Sequence, residues 1–92
     1  MDPERLRIFL AAARCGSFSE AARRLYISHS SVSRAVASLE EELGVRLLER
    51  SNRVLGLTRA GETLAAEAET LLAAAEAAAE RVRKAGENDA VL

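Results

Sequence analysis

The chain has little from which to build a catalytic centre. In 92 residues there is one cysteine, one histidine, one proline, one tyrosine, two phenylalanines and no tryptophan. A single cysteine, Cys15, excludes an internal disulfide, and one histidine leaves no Cys/His cluster for a metal. No acid–base pair converges on a pocket-forming scaffold, so neither an enzyme nor a cofactor is expected. No apolar run is long enough to span a bilayer, which argues against a membrane partner. Met1 to Pro3 lacks a basic segment followed by an apolar one, so no signal peptide and a cytoplasmic location are expected. Aromatics make up 3% of residues against an apolar share of 49%. Leu, Val, Ile and Ala must therefore build the core, which suits helix packing. One proline and five glycines do not suit a disordered chain.

Net charge is small in total and uneven in place. The formal net charge is −1. Residues 1–59 carry ten arginines against seven acids, a balance of +3 with no lysine. Residues 60–92 carry three basic residues against seven acids, a balance of −4. The first part suits a polyanion, and the second should not sit on phosphate.

What is present is organised around Ser17 to Leu43, which has the pattern of two short helices joined by a tight turn. Ser17 and Glu20 have capping-box spacing: the hydroxyl can take a first-turn N–H while the carboxylate reaches back to the cap. Ala21, Ala22 and Leu25 follow on one side. Tyr26 and Ile27 make the turn, and Ser28 is a good N-cap for the next helix. Val32, Val36, Leu39 and Leu43 then form one apolar stripe. The opposite face holds His29, Ser30, Ser33, Arg34, Ala37 and Ser38. A buried stripe behind a short, polar outer face suits a helix lying in a DNA major groove. An ordinary helical hairpin in a bundle has the same spacing and stays open on this stretch alone.

Before this unit, Asp2 can cap a helix with Pro3 at its first position, and Gly16 can end it. Leu6, Phe9, Leu10 and Ala13 give that helix its apolar face, with Ile8 and Ala12 beside it, and Phe18 is expected to pack back on it. After the unit, Gly44 can close the second helix. Leu47 to Arg50 and Val54 to Leu57 look like the strands of a β-hairpin with Ser51-Asn52 at the tip. Arg50 and Arg53 flank the tip, placed to reach phosphates or a minor groove. A helix-turn-helix followed by a basic hairpin is a winged helix.

Thr58 is a plausible cap for a long helix from about Ala60 to Lys84. Leu64, Ala68, Leu71, Ala75, Ala78 and Val82 recur at 4-3-4-3-4, a heptad seam that Leu72 and Ala79 widen. Such a seam calls for the same helix of a second chain, or in part for the chain's own domain. The expected fold is thus mainly α: three helices, a two-stranded wing and a long dimerisation helix. The expected division is 1–59 for the domain, 60–85 for the helix and 86–92 for a tail. Ala90-Val91-Leu92 resembles a strand cut at its start.

These motifs together resemble the N-terminal DNA-binding domain and linker helix of LysR-type transcriptional regulators. The carrying residues are Leu6 and Phe9, G-S-F-S-x-A-A-x-x-L from Gly16 to Leu25, S-x-x-x-V-S-R from Ser28 to Arg34, L-E-x-E-L-G-V-x-L-L-E-R from Leu39 to Arg50, and L-T-x-A-G from Leu57 to Gly61. The resemblance implies a bacterial regulator that binds an interrupted inverted repeat of double-stranded DNA as a homodimer. The recognition helix would be 29–43, and residues 50–54 would be the wing. It implies linker helices paired antiparallel, a tetramer in the full-length protein, and a small-molecule effector bound by a further domain. The candidate DNA-contacting residues are Ser19, Ser28, His29, Ser30, Ser31, Ser33, Arg34, Ala37, Ser38, Arg50 and Arg53. The alternative is a winged-helix protein–protein module dimerised by a coiled coil. Two features depart from the family pattern. His29-Ser30 stands where Gln-Pro is common, which implies a shifted base preference. Val54 and Gly56 stand where further basic residues are frequent, which implies a weaker wing.

Overall fold

The structure is a computed structural model that describes residues 1–49 and 55–89. Its elements are α1 (Pro3–Cys15), α2 (Phe18–Leu25), α3 (His29–Leu43), β1 (Leu48–Glu49), β2 (Gly56–Leu57) and α4 (Arg59–Asp89). Each helix starts where a short polar side chain takes an orphan first-turn N–H. Asp2 accepts from the Glu4 N–H at 2.9 Å, Ser17 from Glu20 at 3.2 Å, Ser28 from Ser31 at 3.1 Å, and Thr58 from Gly61 at 3.0 Å. The capping box at Ser17 is only half made. The Glu20 carboxylate turns away to Arg23, at 2.9 and 3.0 Å, and to Arg24, at 3.2 Å. Two guanidinium partners outcompete one backbone N–H.

Helix α1 crosses α2, α3 and α4. Leu6, Phe9 and Leu10 pack with Val36, Leu39, Leu47, Leu48, Leu64 and Ala68 in one cluster. Ala12, Ala21, Ala22 and Val32 form a second, and Phe18 touches both. Ala12, rather than the expected Ala13, is the fully buried alanine of α1.

The two strands pair antiparallel, Leu48 with Leu57 and Glu49 with Gly56. They are two residues each. The remainder of the expected hairpin, Arg50 to Val54, lies outside the described residues. Connections to the helices hold this small sheet. The Leu55 N–H donates to the Gly16 carbonyl at 3.2 Å, the Thr58 N–H to the Leu47 carbonyl at 3.0 Å, and the Leu47 N–H to the Glu40 carboxylate at 2.8 Å. At Gly61 the first turn of α4 runs so close to the strand that a Cβ would collide with the Leu47 carbonyl.

Helix α4 is 31 residues, about 46 Å at 1.5 Å per residue. It continues through Gly86, where a tail was expected, to Asp89. Its first turns belong to the head: Leu64 and Ala68 are 7% and 0% exposed in the core of their own chain. Those two positions are therefore core residues rather than part of a dimer seam. Beyond them the helix projects, and the molecule measures 59 × 26 × 19 Å.

Candidate nucleic-acid interface

Helix α3 is fixed from behind by Val32, Ala35, Val36 and Leu39, all buried. Ala35 completes this contact. Leu43 does not: it is 39% exposed at the end of the helix. Periodicity gives the direction of a side chain but not whether a neighbour reaches it. On the other side His29, Ser30, Arg34 and Ala37 are exposed, and Ser33 and Ser38 are half-buried. These six therefore lie together on one accessible face.

The start of that face is held by local contacts. The Ser28 hydroxyl lies 2.8 Å from the Ser31 hydroxyl and 3.1 Å from that of Ser30, besides capping the helix. The structure thus gives Ser28 and Ser31 a capping role, in which their hydroxyls are engaged within the chain. The His29 ring meets Phe18 edge-on, with centroids 5.8 Å apart and planes at 66°. Phe18 therefore supports a recognition-face residue as well as filling the core. No spacing rule links these two positions, because the contact joins the first turns of different helices. Ser19 is exposed on the first turn of α2. Arg50 and Arg53 lie outside the described residues.

Charge on this surface is selective. Arg23 and Arg24 are tied to Glu20, whose carboxyl they hold below the usual carboxylate range, the Arg23 hydrogen bond contributing most. Arg7 pairs with Glu4 at 3.3 Å and Arg14 with Glu69 at 2.8 Å. Arg34 has no ion-pair partner among the described residues, so its guanidinium is available to a phosphate or a guanine edge. The far end of α3 is acidic. Glu40 accepts from the Leu47 N–H, and Glu42 pairs with the Met1 amino group at 3.3 Å. The cationic face therefore ends near Ser38. Short hydroxyls, an imidazole and an exposed arginine on a helix packed from behind can bind and discriminate. Among the described residues no group of three metal-ligating side chains comes together.

Residues 3–62 match the family described as bacterial regulatory helix-turn-helix protein, lysR family. The chain belongs to the lysR family. It is 38% identical over 89 residues to the HTH-type transcriptional regulator TcbR of Pseudomonas sp. (strain P51), covering 97% of this chain and 30% of that protein. To the HTH-type transcriptional regulator ClcR of Pseudomonas putida it is 40% identical, with the same coverage of each chain. The chain thus spans about a third of the length of these curated relatives. Among solved structures it is similar to the CbnR DNA-binding domain in complex with DNA. The TM-score is 0.90 at 38% identity, covering 94% of this chain and 99% of that one. The DNA-binding domain of BenM in complex with catB site 1 DNA gives 0.87 at 34% identity, covering 91% and 93%. Three helices, a two-stranded antiparallel sheet and a long helix are the architecture of these LysR domains. The chain accordingly carries the DNA-binding domain of a lysR-family transcription regulator. No helix among the described residues is long and apolar enough to cross a membrane.

Proposed function

We propose that the N-terminal part of α3 enters the major groove of double-stranded DNA and that two copies of the chain read an interrupted inverted repeat. The observation that carries this is Arg34, a cation with no ion-pair partner among the described residues, at the centre of an otherwise short-reaching face on a helix pinned from behind. Arginine–phosphate contacts set the register, and His29, Ser30, Ser33 and Arg34 read base edges. The DNA complexes of the CbnR and BenM domains support the same use of a closely similar fold.

The dimer rests on the outer part of α4. Leu71, Ala75, Ala78 and Val82 keep the 4-3-4 spacing of a helix–helix seam, and Leu71 and Val82 are 46% and 71% exposed. Paired helices would cover these positions, with Leu72 and Ala79 at the margin. We place effector binding and tetramer formation in the further length that TcbR and ClcR have beyond the matched region, and the work of the regulator at the bacterial chromosome in the cytoplasm. Arg50 and Arg53 remain our candidates for a wing contact.

Site selection from a random duplex library tests this reading. The expected result is an enriched inverted repeat that Arg34→Ala, still folded, does not recover. A good base contact at Arg34 is worth about 1–3 kcal/mol. No enrichment by the folded wild type would turn the assignment toward a protein–protein module. The same selection with His29→Gln examines the base preference. Imidazole presents one donor and one acceptor, or two donors when protonated, whereas an amide can bond adenine at two points. Identical base frequencies from both proteins would remove His29 from base reading.

A further inference from the structure

We infer that Arg5 of α1 is a DNA contact over the phosphate strand bordering α3, and that Glu41 opposes it across the same groove. The inference rests on the reading that α3 occupies the major groove. A helix with its side chains is about 10–12 Å wide and the groove about 12 Å, so α3 fills the groove. A neighbouring element on its open side must then lie above the flanking sugar–phosphate strand.

On one side that element is the start of α1. An open groove of about 550 Å³ runs between the two helices, with Arg5 and Ile8 on one bank and Ser31, Arg34, Ser38 and Glu41 on the other. Arg5 thus shares a surface with Arg34 although 29 positions separate them in sequence. The hold on Arg5 is loose. Its Nε lies 4.0 Å from the Asp2 carboxylate, at the outer limit of an ion pair, and the other Asp2 oxygen caps α1. Its neighbours are held more closely: Arg7 by Glu4 and the Met1 amino group by Glu42, each at 3.3 Å. Arg5 is therefore the cation at this end of α1 that is most available to a phosphate.

Glu41 is exposed on the same groove and has no ion-pair partner among the described residues. Facing a phosphate strand, it repels. The charged groups of the groove are then Arg5 and Arg34 for DNA, with Glu41 against it and Asp2 partly committed to its cap. Phosphate contacts carry no base information. The two flank residues should thus change affinity for every duplex by the same factor and in opposite directions.

The test uses the 92-residue chain, the duplex recovered by its site selection and a random-sequence duplex of equal length, titrated across a range of salt. Arg5→Gln should bind both duplexes about threefold to tenfold more weakly, with a salt slope shallower by about 1 and an unchanged ratio between the duplexes. Glu41→Gln should bind both more tightly, again at an unchanged ratio. Affinities and slopes equal to wild type in both variants would overturn the inference while leaving the α3 reading intact. A changed ratio between duplexes would also overturn it, because the flank would then be reading bases. If Arg5→Gln unfolds, Glu41→Gln alone decides: tighter binding supports the flank, and wild-type affinity rejects it. A wild type that prefers neither duplex, with Arg34→Ala no different, would remove the α3 reading instead.

Discussion

The two parts of α4 share one alanine-rich composition and live in different surroundings. Up to Ala68 the helix is packed on α1, with Leu64 and Ala68 sealed beside Leu6, Phe9 and Leu10. Beyond Leu72, which still packs on that core, the same heptad spacing continues with Ala75, Ala78 and Val82 exposed, Val82 at 71%. The inner part closes a core within one chain. The outer part offers a surface that only another body can cover. A continuous seam in sequence thus divides into two uses, and the boundary is set by how far α1 reaches. The net charge divides in the same sense, because the acids are shared equally between residues 1–59 and 60–92 while ten of the thirteen basic residues lie in the first part.

The strongest challenge to this contrast is a cavity in the head. Phe9 is completely buried where α1 meets α3 and α4. Phe9→Ala should cost about 3–5 kcal/mol in chemical denaturation, independently of protein concentration. A cost below about 1 kcal/mol would mean that the head is not a self-sufficient core. The next test addresses the outer part. Ala78→Glu combined with Val82→Glu should leave the unfolding of the head unchanged, because both positions are exposed on the projecting part of α4. The same pair should weaken self-association, measured by sedimentation, by a few kcal/mol through buried like charges facing across the seam. Loss of head stability, with association untouched, would reverse the roles given to the two parts.

The same division explains what sequence could and could not reveal. Helix starts were legible because each depends on one residue and one local bond: Asp2, Ser17, Ser28 and Thr58 all cap as expected. The outward face of α3 was legible because the buried Val32, Val36 and Leu39 fix its rotation. Leu43 differs from its expected burial, and the choice between dimer and own domain for Leu64 and Ala68 stayed open in sequence, for a single reason. Heptad or helical spacing says which residues share a face, whereas burial depends on the length and placement of a partner remote in sequence. Arg5 escaped notice in the same way, since its place beside Arg34 follows from how α1 crosses α3. The helical extension through Gly86 shows the reverse weakness. A glycine lowers helix propensity by about 1 kcal/mol, which a long helix can absorb.

Smaller effects sharpen the contrast inside the head, where exposure does not mean freedom from constraint. Tyr26 is 95% exposed, yet it caps α2 with φ at 58°, in the left-handed region that favours glycine. Its N–H also bonds back to Arg23 at 3.4 Å. Tyr26→Gly relieves steric strain worth about 1–2 kcal/mol but adds backbone entropy to the unfolded chain worth roughly half of that. A net gain of up to about 1 kcal/mol in denaturation is expected. A clear loss would mean that the exposed ring contributes a contact of its own.

Glu20 should give the smallest effect, and its sign can be stated. Arg23 first and Arg24 second hold its carboxyl below the usual range in the folded chain. The folded state therefore binds fewer protons at this site than the unfolded state when the pH is near the ordinary carboxylate value. The contribution is fully present above that value and is lost as pH falls through the lowered one. The difference in thermal midpoint between wild type and Glu20→Gln should accordingly be constant near neutrality and shrink on acidification through about pH 4. High salt should shrink it too, because both arginines are solvent-exposed and their pairing is screened. A difference that persists in acid would assign the effect of Glu20 to packing at the start of α2 rather than to its charge. Freed from Glu20, Arg23 and Arg24 would also add cationic surface beside the recognition face. Glu20→Gln should then bind a random duplex slightly more tightly at low salt, even as it folds slightly less well.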